Sequence, residues 1–126
     1  MDNLIHKIIE FHEVFKQPYA KDLTPISSKE VVLRYNLMAE ENKEYLEAAI
    51  EKNLEGIADA LGDKLYILLG TIIKHGMQHI IVDVFNEIHR SNMSKLGEDG
   101  NPILRKDGKV LKGPNYSPPN LKQFVE

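Results

Sequence analysis

The sequence predicts an all-α fold, a four-helix-bundle-like chain finished by a short C-terminal β-hairpin and an extended arm. Apolar residues recur at helical spacing in four successive segments. Residues that start and stop helices fall between those segments. From about Leu96 onward the chain becomes rich in Gly and Pro. One domain over residues 1–126 is expected, with the bundle in 1–95 and the arm in 96–126.

The first segment, Asn3 to about Lys16, carries Leu4, Ile8, Phe11 and Phe15 on one face, with Asn3 as its expected cap. Pro18 and Pro25 make residues 17–26 a loop. Ser27 or Ser28 then opens a second helix that runs to about Lys52, with Glu30 placed to complete the cap. Asn53 and Gly56 fit a short helix–helix turn. A third helix is expected from about Gly56 to His75, stopped by Gly76, and a fourth from about Gln78 to Met93. In the tail, Asp107-Gly108 inside Ile103–Lys112 signals a β-hairpin, and residues 113–120 should be extended.

Composition excludes several classes. A hydrophobic content of 42% and a charged content of 28% fit a globular chain rather than a disordered one. Sixteen basic residues against nineteen acidic ones leave a formal net charge of −3, and no Lys/Arg run forms a basic stripe. A nucleic-acid partner is therefore not expected. The absence of cysteine removes disulfides, thiolate chemistry and Cys-ligated zinc. The longest apolar stretch, around Leu65–Ile73, is too short to span a bilayer. No membrane association and a cytoplasmic location are the expectations.

The second helix carries Glu40, Glu44, Glu47 and Glu51 on one stripe, with Glu41 beside it. Like charges one turn apart repel, and Lys43 and Lys52 relieve this only in part. By itself such a stripe reads first as a solvated acidic face. The third helix changes the balance. Leu61, Leu65, Leu68 and Ile72 form an apolar stripe, and Ile57, Ile67, Leu69 and Ile73 extend the apolar surface nearly all round. A helix of this kind is normally buried in a bundle. Asp59 and Asp63 nonetheless sit one turn apart on it, with Tyr66 and Gly70 continuing their face. A carboxylate in an apolar setting must be paired, protonated or bound to metal. Setting this face against the glutamate stripe, with divalent cations between, resolves both problems. Oxygen ligands without Cys or His suit Mg²⁺, with Mn²⁺ as a substitute. Carboxylate-held magnesium usually shares its remaining positions with water and phosphate oxygens, which points to phosphoryl or nucleotidyl chemistry.

Glu40-Glu41-Asn42-Lys43-Glu44 followed by Asp59-Ala60-Leu61-Gly62-Asp63-Lys64-Leu65-Tyr66 resembles the signature of the all-α nucleotide pyrophosphohydrolases. That superfamily includes the MazG proteins, the dimeric dUTPases and the phosphoribosyl-ATP pyrophosphohydrolases. Its pattern is ExxE on one helix and ExxD on the next. Glu41 and Glu44 match the first half and Asp63 the end of the second. Ala60 stands where the pattern has Glu, and Asp59, a full turn before Asp63, is the candidate substitute. The segments Glu87–Leu96 and Asp107–Tyr116 resemble the tail of MazG-like proteins from bacteria and their phages, so the likeness spans about Phe11 to Leu121. It favours the MazG-like group over phosphoribosyl-ATP hydrolysis.

The resemblance implies a MazG-type fold and hydrolysis of a (deoxy)nucleoside triphosphate to a monophosphate and pyrophosphate, in a house-cleaning role. Glu41, Glu44 and Asp63 would hold Mg²⁺. Glu40 and Asp59 would serve as further ligands or orient water, and Glu41 or Glu44 would accept the proton of the attacking water. Arg90, Asn92, Lys95 and Lys109 are the candidate phosphate binders, with Lys112 behind them. Arg90 and Lys95 are also well placed for a helix C-terminus without any ligand. Candidates for base recognition are His12, Phe15, Tyr19 and Arg34, and Tyr66 is a further substrate contact or a core residue. Related proteins form dimers or tetramers, so a homodimer or homotetramer is expected, with the tail reaching a neighbouring subunit.

Two other functions compete. A ferritin-type di-iron bundle needs Glu-x-x-His pairs, and no histidine here has Glu three residues before it. A catalytically inactive helical module that binds metal or nucleotide fits the long apolar helices equally well, and Ala60 is compatible with it. An adaptor with no metal gives no reason for Asp59 and Asp63 opposite an acidic stripe.

Overall fold

The computed structural model describes Met1–Glu126. In chain order the elements are α1 (Asp2–Val14), α2 (Ser28–Ile50), α3 (Leu54–Lys74), α4 (Ile81–Met93), β1 (Ile103–Leu104), β2 (Val110–Leu111) and α5 (Lys122–Val125). The all-α class and the hairpin both stand as expected. The chain divides into two compact units, Met1–His79 and Ile80–Glu126.

In the first unit, α2 and α3 pack antiparallel. Arg34 bonds to Thr71, Lys64 bonds to Asn42, and Gly56 sits against the Ala48 methyl group, so positions rising along α2 meet positions falling along α3. Ser27 caps α2 by accepting from the Glu30 amide at 3.2 Å. Between the helices, Lys52 takes the left-handed conformation at φ 57°, and Asn53 caps α3 by accepting from the Gly56 amide at 3.0 Å. The third helix therefore begins at Leu54, two residues before the expected Gly56, because Asn53 is its cap rather than part of the break. Asn3 does not cap α1: the helix already includes Asp2, and its cap position, Met1, offers no side-chain bond.

The helix-three stop is built from the proline loop. Ala20 donates to the Ile73 carbonyl at 2.9 Å and Thr24 to the His75 carbonyl at 3.0 Å, which satisfies groups that a helix end leaves unpaired. Gly76 has φ 69°, and a Cβ there would run into the Asp22 carbonyl. The core of this unit is Ile5 and Ile8 of α1 against Ala60, Leu69 and Ile73 of α3. The expected burial of α3 on all sides does not hold. Its buried face is Ala60, Leu69, Gly70 and Ile73, while Leu61, Leu65 and Leu68 are 50%, 41% and 43% exposed.

The second unit is α4, the hairpin and the arm. The fourth helix begins at Ile81 rather than Gln78, whose amide is spent on the Ala20 carbonyl of the loop. The hairpin pairs Ile103 with Leu111 and Leu104 with Val110, and Gly108 turns it at φ 90°. The extended stretch folds back along α4: Gly113 donates to the Lys95 carbonyl at 2.9 Å, Ser117 to the Ser94 hydroxyl at 2.9 Å, and Asn120 to the Glu87 carboxylate at 2.7 Å. The one-turn helix α5 was not expected, since four residues carry no readable period.

Replacing Gly76 by Ala should lower the unfolding free energy by about 2 kcal/mol or more, since it adds both a left-handed strain and a backbone clash. Urea denaturation followed by circular dichroism would measure it, with a fall of less than about 0.5 kcal/mol speaking against the tight loop contact.

Candidate active site

The antiparallel register of α2 and α3 brings Glu41 and Glu44 opposite Asp63. Each offers a carboxylate oxygen, and these oxygens all lie within 4.8 Å of one another. Glu41 is half-buried, and its Oε2 is shut off from water with no hydrogen-bond partner. Glu44 and Asp63 are exposed at the mouth. No lysine or arginine pairs with any of the three. The cations along the same helices are spent elsewhere: Lys64 on Asn42, and Arg34 on Thr71 and the Ile67 carbonyl.

Burial, then the neighbouring Glu44, Asp63 and Glu40 carboxylates, push the Glu41 carboxyl above its ordinary range. An orphaned buried oxygen and a carboxylate held against its own charge are what a cation between α2 and α3 would relieve. Hard oxygen donors with no sulfur or imidazole fit Mg²⁺ or Mn²⁺. Glu40 acts on the site through its charge on Glu41. Asp59 is exposed, one turn before Asp63, and stands outside the trio. Ala60, at the position where the sequence pattern has Glu, is buried in the core at 2% exposure.

Two turns before Glu41 on α2, Arg34 lines a groove of about 420 Å³ that is also walled by Phe11, Phe15, Leu33, Lys74 and His12. It gathers three of the four residues singled out for base recognition, His12, Phe15 and Arg34. Tyr19, the fourth, hydrogen-bonds Glu13 at 2.7 Å and lies on the neighbouring face of the loop. Arg34 donates from Nε to the Thr71 hydroxyl at 3.0 Å and from Nη2 to the Ile67 carbonyl at 2.8 Å. Gly70 makes this possible, since a Cβ there would stand 2.7 Å from Arg34 Nη2. His12 is buried, with Nδ1 unpartnered, and burial followed by the charges of Arg34 and Lys74 lowers its pKa. Tyr66 stands edge-on to Phe11, with ring centroids 5.5 Å apart, and lines an adjoining hollow.

Lys74, Glu30 and Leu33 line the groove without having been singled out from the sequence. Lys74 and Glu30 lie 3.7 Å apart, and Lys74 also donates to the Pro18 carbonyl. Gly70 was the available signal, because glycine inside an otherwise apolar helix is costly and marks close approach by a neighbour.

The expected phosphate binders belong to the second unit. Arg90 is engaged at both ends of its fork by the Glu87 carboxylate, which it and the Asn120 amide hold down at about 2, and it also donates to the Pro118 carbonyl. Asn92 is exposed and Lys95 half-buried at the end of α4. Lys109 is exposed in the hairpin turn, and Lys112 lies 4.7 Å above the Tyr116 ring.

A family model described as phosphoribosyl-ATP pyrophosphohydrolase matches residues 8–92. The crystal structure of a provisionally assigned NTP pyrophosphohydrolase from Exiguobacterium sp. 255-15 is 28% identical, with a TM-score of 0.51, over 98% of this chain and 92% of that one. No curated protein sequence matches the chain.

A carboxyl whose pKa is raised on folding favours the folded state at low pH and loses that contribution as pH rises through the raised value. Metal-free protein should thus be strained by Glu41 near neutrality. Added Mg²⁺ should raise the melting temperature more at neutral pH than near pH ~4.5, where protons compete for the same oxygens. Glu41→Gln should stabilise the metal-free protein at neutral pH and abolish the Mg²⁺ shift. Equal shifts at both pH values, read by differential scanning fluorimetry, would count against the trio as the cation site.

Proposed function

The chain belongs to the phosphoribosyl-ATP pyrophosphohydrolase family, and from that premise we propose that it is a Mg²⁺-dependent nucleoside triphosphate pyrophosphohydrolase. It converts a (deoxy)nucleoside triphosphate and water to a monophosphate and pyrophosphate, in nucleotide-pool house-cleaning in the cytoplasm. The carrying observation is the unneutralised trio Glu41, Glu44 and Asp63, with oxygens within 4.8 Å of one another. A bound Mg²⁺ supplies charge neutralisation on phosphate oxygens during in-line displacement.

The chain's own residues do the rest. Glu41, Glu44 and Asp63 hold the cation, with Glu40 and Asp59 adding negative charge at its edge. Glu41 or Glu44 accepts the proton of the attacking water. Arg34 and Tyr66 are the substrate contacts proposed for the first unit. Asn92, Lys95, Lys109 and Arg90, once released from Glu87, are the phosphate contacts assigned to the second.

A second reading, phosphoribosyl-ATP as the substrate, is favoured by the family description itself. The family match ends at residue 92, whereas the likeness to the Exiguobacterium protein takes in 98% of the chain and so extends through the arm. That breadth supports a free nucleoside triphosphate. A further alternative is a binding module without turnover, for which Ala60 in place of Glu is the one feature.

Pyrophosphate release from nucleoside triphosphates and from phosphoribosyl-ATP, with Mg²⁺, Mn²⁺ or EDTA, decides among them. Metal-dependent release from a nucleoside triphosphate is expected, and Glu44→Gln should cut kcat by ~100-fold or more. Undiminished turnover by Glu44→Gln under saturating Mg²⁺ would move the metal site elsewhere. Binding of Mg²⁺ without turnover of anything would favour the inactive module.

We also infer a homodimer or homotetramer, supported by the exposed Leu61, Leu65 and Leu68 of α3. Contiguous apolar surface of this kind marks an interface. Light scattering should give a mass of two or four chains, and replacing Leu61 and Leu65 by Lys should reduce it. A monomer at high micromolar concentration would refute the inference.

A further inference from the structure

The groove two turns from the carboxylates along α2 carries one hydrogen-bond donor held in place by the protein. Its apolar wall is Phe11 and Phe15, with ring centroids 4.6 Å apart and both rings partly open to solvent, and Leu33. Its volume of about 420 Å³ lies in the range of small-molecule sites. Its polar lining is Arg34, Lys74 and Glu30, with His12 and Gln17. Glu30 is the one carboxylate in that wall, and it already faces Lys74 at 3.7 Å. Arg34 is fixed by its bonds to Thr71 and Ile67, which use Nε and Nη2 and leave Nη1 without a protein partner. A guanidinium only donates and does not deprotonate, so at Arg34 the groove presents a fixed donor.

Distance along the helix supplies the second observation. Arg34 and Glu41 are seven residues apart on α2, about two turns and ~10.5 Å, and so share a face. Across the pair, Ile67, which Arg34 grips, is one turn beyond Asp63. A single nucleoside triphosphate is long enough to lie with its phosphates at the carboxylates and its base in the groove.

We propose that Arg34 is the specificity-determining residue of this site: held by Gly70, Thr71 and Ile67, it reads the edge of a base lodged against Phe11 and Phe15 and selects bases with a carbonyl at pyrimidine C4 or purine C6 over those with an amino group there. The proposal rests on the pyrophosphohydrolase reading and deepens it. Uracil, thymine and guanine offer an oxygen acceptor where cytosine and adenine offer an N–H donor, and a donor facing a fixed guanidinium leaves both groups unsatisfied. Gly70 contributes by absence, because any side chain there would push the guanidinium out of register.

The test is kcat/KM for dUTP, dTTP, dGTP, dCTP and dATP with wild type, Arg34→Gln, Arg34→Lys and Gly70→Ala, each checked for folding by its melting temperature. Wild type should favour the carbonyl-bearing bases by ~10-fold or more. Arg34→Gln, which can both donate and accept, should shrink that ratio to ~3-fold or less, while Arg34→Lys keeps part of it. If Arg34→Gln fails to fold, the wild-type ratio and Arg34→Lys carry the test. Equal use of all bases by wild type, a preference for dCTP or dATP, or a ratio unchanged in both folded Arg34 variants would overturn the proposal. Binding of uridine against cytidine in EDTA, followed by NMR, separates this from the catalytic reading. A uridine preference that Arg34→Gln abolishes supports the proposal even if no triphosphate is hydrolysed, and equal affinity sinks it even if hydrolysis is found.

Discussion

Three carboxylates facing one another across two antiparallel helices, with no cation of the protein's own between them, is the constraint around which the first unit is organised. Repulsion of this kind would ordinarily splay the helices or turn the side chains outward. Here the helices cannot separate easily, because contacts on either side of the carboxylates fix their register. Toward one end Arg34 grips Thr71 and the Ile67 carbonyl. At the other, Asn53 caps α3 just where Gly56 meets Ala48. Lys64, the cation closest in sequence to Asp63, is held by Asn42 at 3.0 Å rather than by a carboxylate. Packing therefore keeps the negative charge concentrated, which is the condition for binding a hard cation and also the reason the metal-free site is strained at Glu41.

The same register couples the charged site to the groove. Close approach at Gly70 lets Arg34 cross from α2 to α3, and His12 of α1 shares that notch, its Nε2 standing 3.4 Å from where a Gly70 Cβ would be. The proline loop then closes over the end of α3, with Ala20 and Thr24 capping its carbonyls and Pro18 receiving Lys74. The polar wall of the groove and the carboxylates thus share α2 and α3, while the groove's apolar wall comes largely from the end of α1. Rigid support is what selective recognition requires, because a donor that can swing satisfies any base edge.

Much of this was legible in the sequence, for identifiable reasons. Helical spacing located four main helices, and Ser27, Asn53 and Gly76 marked boundaries because capping and left-handed turns are local chemistry. Asp107-Gly108 announced the hairpin for the same reason. Glu41, Glu44 and Asp63 could be named because carboxylates at one-turn intervals conflict with their surroundings wherever the helix lies. What stayed hidden depends on contacts distant in sequence. The spending of Gln78 on Ala20 delayed α4, and no local rule foretells it. Lys74 and Glu30 join the groove only once α3 lies beside the proline loop and α2. The leucines of α3 read as core from their spacing, yet Leu61, Leu65 and Leu68 lie on its uncovered side, since periodicity reveals a face without saying what covers it.

Ala60 bears on how strongly such a site holds metal. A fourth carboxylate would ordinarily deepen the negative potential, but position 60 is buried at 2% exposure. A glutamate there would carry a desolvation cost that the present packing avoids. The exposed Asp59 adds charge at the rim, where solvent screens it. On the proposed reading, three carboxylates leave magnesium coordination positions for water and phosphate oxygens, so the nucleotide completes the site that the protein begins. Metal and substrate then bind with mutual support, as linkage requires of any two ligands that neutralise each other's charge. The missing carboxylate is in this view a shift of metal-binding work from the protein to its substrate, and it leaves the base groove, which needs no metal, as the place where substrates are told apart.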